Sequence, residues 1–93
     1  MKIPNKLKIN GIDVAIKIED RTEHGASEYG SALCFTQTIW LDSSGNKEYQ
    51  ESVLIHEIIE LLNEENDMNL THQNISTLAT SLYAVLKDNK LIS

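Results

Sequence analysis

A chain of 93 residues, 41% of them hydrophobic, can bury one modest core and is too short for two domains of ordinary size, so residues 1–93 read as a single domain. Fourteen Asp and Glu against eight Lys and Arg leave a net charge of −6, which disfavours nucleic acid and anionic lipid as partners. The opening MKIPNKLKIN has no continuous apolar core, and no run approaches the eighteen or so apolar residues of a membrane span; the expectation is a soluble, cytoplasmic protein.

Residues Leu7 to Ile9 and Ile12 to Glu19 flank Asn10-Gly11, a dipeptide that tolerates the positive φ angles of a two-residue hairpin turn. In the second arm Ile12, Val14, Ile16 and Ile18 alternate with Asp13, Ala15, Lys17 and Glu19, the period of a strand with one buried face. The polar stretch Asp20 to Gly30 holds two glycines and no sustained period, so it is assigned as a surface loop. His24 sits in it, and a solvated loop histidine is the plain reading. Two short strands follow, Ser31 to Thr36 and Thr38 to Asp42. The first contains Cys34, the only cysteine, which excludes an internal disulfide and reads as a small buried apolar residue in a reducing compartment. In the second, Ile39 and Leu41 point one way and Trp40 the other.

After DSSG, Asn46 is a suitable N-cap for a helix. At about 100° per residue, Leu54, Ile55, Ile58, Ile59, Leu61 and Leu62 fall on one apolar arc that packs on the sheet. The polar run Asn63 to Asp67 ends this helix, and Thr71 can cap a second one running to about Lys87. On the second helix Ile75, Leu78, Ala79, Leu82, Val85 and Leu86 form a stripe suited to packing beside the first, while Asp88 to Ser93 is expected to fray. The fold class is therefore α+β: a small antiparallel or mixed sheet of about four strands followed by two packed helices.

The first helix carries HEIIE. His56 and Glu60 lie outside the apolar arc, and residues four apart on a helix have Cβ atoms about 5 to 6 Å from each other, so both side chains can reach one metal ion. An imidazole nitrogen at about 2.0 to 2.1 Å and a carboxylate oxygen at about 2.0 to 2.2 Å suit Zn²⁺, but two ligands do not make a site. His72, at the start of the second helix, can approach them if the helices pack side by side. Two histidines and a glutamate are a ligand set used for catalytic zinc, with the fourth position left to water. Glu57, beside a ligand, can then act as the general base on that water. The plain reading is that acidic and histidine side chains on a helix face are simply solvated.

The stretches KIPNKLKINGIDVAI, SVLIHEIIELLN and LTHQNISTLATSLYAVLKDN resemble a family of very small zincin-type metallopeptidases encoded by phages and prophages. The likeness spans nearly the whole chain and fails mainly between Asp20 and Gly30. It implies a minimal zincin-like domain, His56, Glu60 and His72 as zinc ligands, Glu57 as the catalytic base, and a peptide or protein as the substrate. Zincins also pair their substrate with a sheet-edge strand, a duty the resemblance assigns to Thr38, Ile39, Trp40 and Leu41. Glu60 stands where the second histidine of HExxH is usual. No residue stands out as the oxyanion stabiliser, Tyr83 and His24 being the two that could be considered. The contrasting reading is a non-catalytic scaffold or interaction module on the same fold, with or without a metal.

Overall fold

The computed structural model describes residues 1–20, 31–33 and 38–92. His24, Cys34 and the rest of the expected loop beyond Asp20 lie outside the described residues, as do residues 34–36 of the expected third strand. In chain order the elements are β1 (Lys6–Ile9), β2 (Ile12–Glu19), β3 (Ser31–Leu33), β4 (Thr38–Asp42), α1 (Lys47–Glu65) and α2 (His72–Asp88). The protein is α+β, with a mixed sheet followed by two helices. No helix among the described residues is long and apolar enough to cross a membrane.

The hairpin forms at Asn10-Gly11, where φ is +49° and +80°. Both central residues of the tightest hairpin turn need positive φ, and this pair meets the requirement. β1 pairs antiparallel with β2, from Lys6 opposite Ala15 to Ile9 opposite Ile12. β2 then pairs in parallel with β4, and β4 pairs antiparallel with β3, giving the order β1-β2-β4-β3.

This order corrects one expectation. Thr38, Ile39 and Trp40 do not lie on a sheet edge, since the strand there has β2 on one side and β3 on the other, while Leu41 pairs with Ile18 of β2. A substrate strand cannot be added where the ladder is already filled, and among the described residues the edge strands are β1 and β3.

Ile9, Val14, Ile16, Ile39 and Leu41 of the sheet pack with Leu54 and Leu61 of α1 as one core, and Ile39 and Leu41 are wholly buried. Trp40, on the opposite face, is half-buried. The alternation of β2 holds at Val14 and Ile16 but fails at Ile18, which is 45% exposed. Ile18 lies near the end of the strand, and the main contacts of α1 with the sheet are with β4 and β3.

Two polar devices fix where α1 starts. Gln50 Nε2 donates to the carbonyls of Asp42 (3.0 Å) and Gly45 (3.1 Å), tying the helix back to the end of β4. Asn46 caps the first turn, its Oδ1 accepting from the Tyr49 amide at 2.8 Å. At the far end Asp67 adopts φ +49°, and the Met68 amide donates to the Asn63 carbonyl at 3.0 Å. That is a Schellman closure with a residue other than glycine in the left-handed position.

Asn63 Oδ1 also accepts from the Leu70 amide at 2.9 Å, holding the turn between the helices. Thr71 and Asn74 then form a reciprocal capping box that starts α2. The tail does not fray before Ile92. Lys90 takes φ +56°, and the Leu91 amide donates to the Leu86 carbonyl at 2.9 Å, so the last turn is closed as α1's is.

Candidate metal centre

The two helices pack side by side through Ile75 and Ala79 of α2, both buried. His56 and Glu60 stand one turn apart on α1, and the capping box aims His72, the first residue of α2, at the same point. His56 Nε2 lies 3.3 Å from Glu60 Oε1, and His72 Nδ1 lies 3.6 Å from the same oxygen. The imidazole centroids are 5.3 Å apart with the rings edge to face. One ligand atom from each residue therefore falls within 4.8 Å of the other two.

These spacings can be compared with what a cation needs. Ligand atoms about 2.1 Å from a tetrahedral ion are separated from one another by about 3.4 Å. The two contacts to Glu60, 3.3 and 3.6 Å, match that value, and the ligand atoms all lie within 4.8 Å of one another. The donor set, two imidazoles and a carboxylate, suits a borderline divalent ion, and the residues fit such a group. Exposure is graded across the trio: the side chains are 20% exposed for His56, 35% for Glu60 and 79% for His72. The site is thus closed on the α1 side and open to solvent on the α2 side.

Glu57 is only 2% exposed, and its Oε2 has no hydrogen-bond partner among the described residues. Burial pushes its carboxyl up to about 8, with the negative charge of Glu60 adding to the effect. It opens on a cavity of about 300 Å³ whose walls include His56, Ser52, Ser76 and Thr80. A second cavity, of about 440 Å³, lies beyond Glu60 and His72 and is walled by Asn63, Glu64 and Asp67. The trio stands between the two, with its buried acid on the first.

Glu51, six residues before Glu57, is a buried carboxylate that sequence reasoning missed. It is 1% exposed; the Tyr83 hydroxyl donates to its Oε1 at 2.6 Å, and the Met1 amino group lies 3.3 Å from its Oε2. Burial pushes this carboxyl up, but the Tyr83 hydrogen bond, the amino group and the Lys87 charge outweigh it and hold the carboxyl below its ordinary value. The same contact raises the Tyr83 hydroxyl, which burial has already raised. Tyr83 is thus committed to Glu51 and does not serve as an oxyanion donor. A signal existed: on the helical wheel Glu51 falls inside the apolar arc that faces the core.

Compared with protein-family models, with curated proteins and with solved structures, the chain finds no match in any of the three.

Proposed function

We propose that the chain is a zinc-dependent metallopeptidase, a minimal zincin-like domain akin to the small phage and prophage enzymes whose HExxE or HExxH helix it resembles. One observation carries the reading: His56, Glu60 and His72, from two helices joined by a tightly pinned turn, bring a ligand atom each within 4.8 Å. A divalent cation in such a site supplies Lewis acidity toward a peptide carbonyl and lowers the pKa of bound water. The chain's own residues do the rest. His56 and Glu60 are held in register by the helix, and His72 closes the set from the α2 side. Glu57 faces the cavity that His56 also lines, where its free oxygen can take a proton from water and hand it to the departing amine.

The substrate class is a peptide or protein. With β4 interior, the strand-pairing surface for an extended segment falls to β1 or β3. A second reading, a non-catalytic metal-binding scaffold, draws on one observation: a carboxyl so buried that it holds its proton up to about pH 8 is ionised only in small part at neutrality and is seldom free to accept a proton.

Replacing Glu57 by Gln separates the two. Zinc content measured by elemental analysis and turnover on a peptide library measured by mass spectrometry are the readouts. The enzyme reading expects one zinc per chain in both proteins and a loss of about a thousandfold in turnover in the variant. Zinc bound with no turnover in either protein supports the scaffold, and no zinc in either removes both metal readings.

A further inference from the structure

The cavity that Glu57 faces is larger than a water site. It measures about 300 Å³, many times what one water needs, and it lies along the seam between the helices. Tyr49, Ser52 and His56 form its α1 wall, the first and last of them about 10 Å apart along the helix axis. Ser76 and Thr80, one turn apart, stand on its α2 wall. Among the described residues no lysine or arginine lines it.

Two features mark it as a receptor. Glu57, only 2% exposed, presents to it an oxygen, Oε2, that no described residue bonds. A buried polar atom without a partner is rare in a folded protein, and a ligand can supply the missing bond. The other feature is Tyr49, 56% exposed at the far end. Its ring lies so close to Gly45 that a Cβ there would come within 2.5 Å of Cδ1. Glycine at that position lets the ring seat itself at the mouth of the cavity.

The chemistry of the walls selects the ligand. Hydroxyls both donate and accept; Ser52 already donates to the Tyr49 carbonyl at 2.9 Å, which leaves its oxygen to accept. A carboxylate side chain would find no cation to pair with and would meet Glu57. A lysine or arginine would bury a cation beside His56 and the metal ion proposed for it. An apolar side chain would leave Oε2 stranded. A carboxamide is neutral, donates to Oε2 through its NH₂, accepts from hydroxyls through its oxygen, and is flat enough to lie on the Tyr49 ring. The Glu57 carboxyl has lone pairs to spare, so this contact leaves room for the water of the proposed reaction.

We propose that this cavity holds a carboxamide side chain of a peptide, glutamine or asparagine, beside the bond to be cut. Glu57 Oε2, Ser76 and Thr80 are its polar contacts, and Tyr49 is its platform. Calling the peptide a substrate rests on the metallopeptidase reading; its capture in the cavity does not, so the two are tested apart.

Capture is tested by titrating the full chain, with zinc absent and with one equivalent present, with the N-methylamides of N-acetylglutamine and N-acetylasparagine, followed by two-dimensional amide NMR. Saturable shifts at Ser52, Ser76 and Thr80 are expected for the better of the two, with the leucine, glutamate and arginine analogues binding at least about tenfold more weakly. Thr80→Val, nearly isosteric and at an exposed position, should weaken that binding about tenfold without changing zinc content. Ser76→Ala should act in the same way, and Gly45→Ala should weaken binding by displacing Tyr49. Absence of saturable shifts at the cavity overturns the proposal, as does equal binding of the leucine analogue or indifference to both hydroxyl substitutions. Preference for the glutamate or arginine analogue overturns the carboxamide assignment. Cleavage of a peptide library, read by mass spectrometry, is the separate arm: enrichment of glutamine or asparagine beside the cut bond supports the substrate assignment, and cleavage without it overturns that assignment. Capture with no cleavage counts against the metallopeptidase reading alone.

Discussion

Glu51 and Glu57 are buried to nearly the same degree on the same helix, yet their surroundings differ completely. Around Glu51 the Tyr83 hydroxyl donates to one oxygen, the Met1 amino group lies 3.3 Å from the other as an ion pair without a hydrogen bond, and a lysine is nearby. Around Glu57 the Oε2 oxygen has no hydrogen-bond partner among the described residues, and the charge that acts on the carboxyl is another carboxylate, Glu60. A buried acid that folding has satisfied belongs to the architecture. One left unsatisfied against a cavity and beside a histidine costs stability, and a cost of that kind is what an active site characteristically carries.

The sharpest way to break this contrast is at the metal trio. His72→Ala removes one of the three proposed ligands while leaving the α1–α2 packing intact, because His72 is largely exposed. Zinc affinity by chelator competition should fall about a thousandfold, or roughly 4 kcal/mol. An unchanged affinity would dismiss the trio as a site. Next comes the satisfied glutamate: Tyr83→Phe strips Glu51 of its hydroxyl donor and should cost about 2 to 3 kcal/mol in urea denaturation at neutral pH. Because the Glu51 carboxyl is held below its ordinary 4.5, its contribution is present above pH 4.5 and disappears as the pH falls below that value. The loss in Tyr83→Phe should therefore shrink in acid.

For Glu57 the sign is reversed. Its carboxyl is raised, so the neutral form suits the fold below pH 4.5, and stability is lost as the pH climbs from 4.5 toward about 8. In the metal-free protein Glu57→Gln should leave stability unchanged near pH 4 and raise it near pH 9, by up to about 5 kcal/mol. A flat difference across that range would show that the carboxyl is satisfied after all. The smallest effect is expected at the turn between the helices. Asp67→Gly relieves a left-handed residue and should add about 0.5 to 1 kcal/mol, read as a shift of the thermal midpoint.

Much of this molecule is written locally. Asn10-Gly11, the alternation of β2, the Asn46 and Thr71 caps and the arc of α1 each state their structure within a few residues, and the chain adopts it. His56 and Glu60 share that advantage, being one turn apart. His72 was within reach because the polar run before it leaves room only for a short connection.

What was not legible depends on partners distant in sequence. Whether β4 lies inside the sheet or at its rim is decided by its pairing with both β2 and β3, and no property of TIWLD distinguishes the two. Leu78, Leu82 and Val85 stay exposed, yet they look like Ile75 until the width of α1 is known. The burial of Glu57 comes from α2 closing over a residue that the wheel leaves outside the apolar arc. The closure of the tail escaped notice because its left-handed residue is Lys90, where glycine would have announced it.

The parallel seam between β2 and β4 sets the order in which the molecule can assemble. The N-terminal hairpin and the helical pair consist of near neighbours and can form early, but joining them requires the chain between Glu19 and Thr38 to close into a loop first. Closure of that seam is therefore the step expected to limit the folding rate, and Ile16 against Ile39 is the contact with which to test it. Shortening Ile39 to Val should leave the hairpin's own kinetics untouched and change the rate at which the two halves become one cooperative unit.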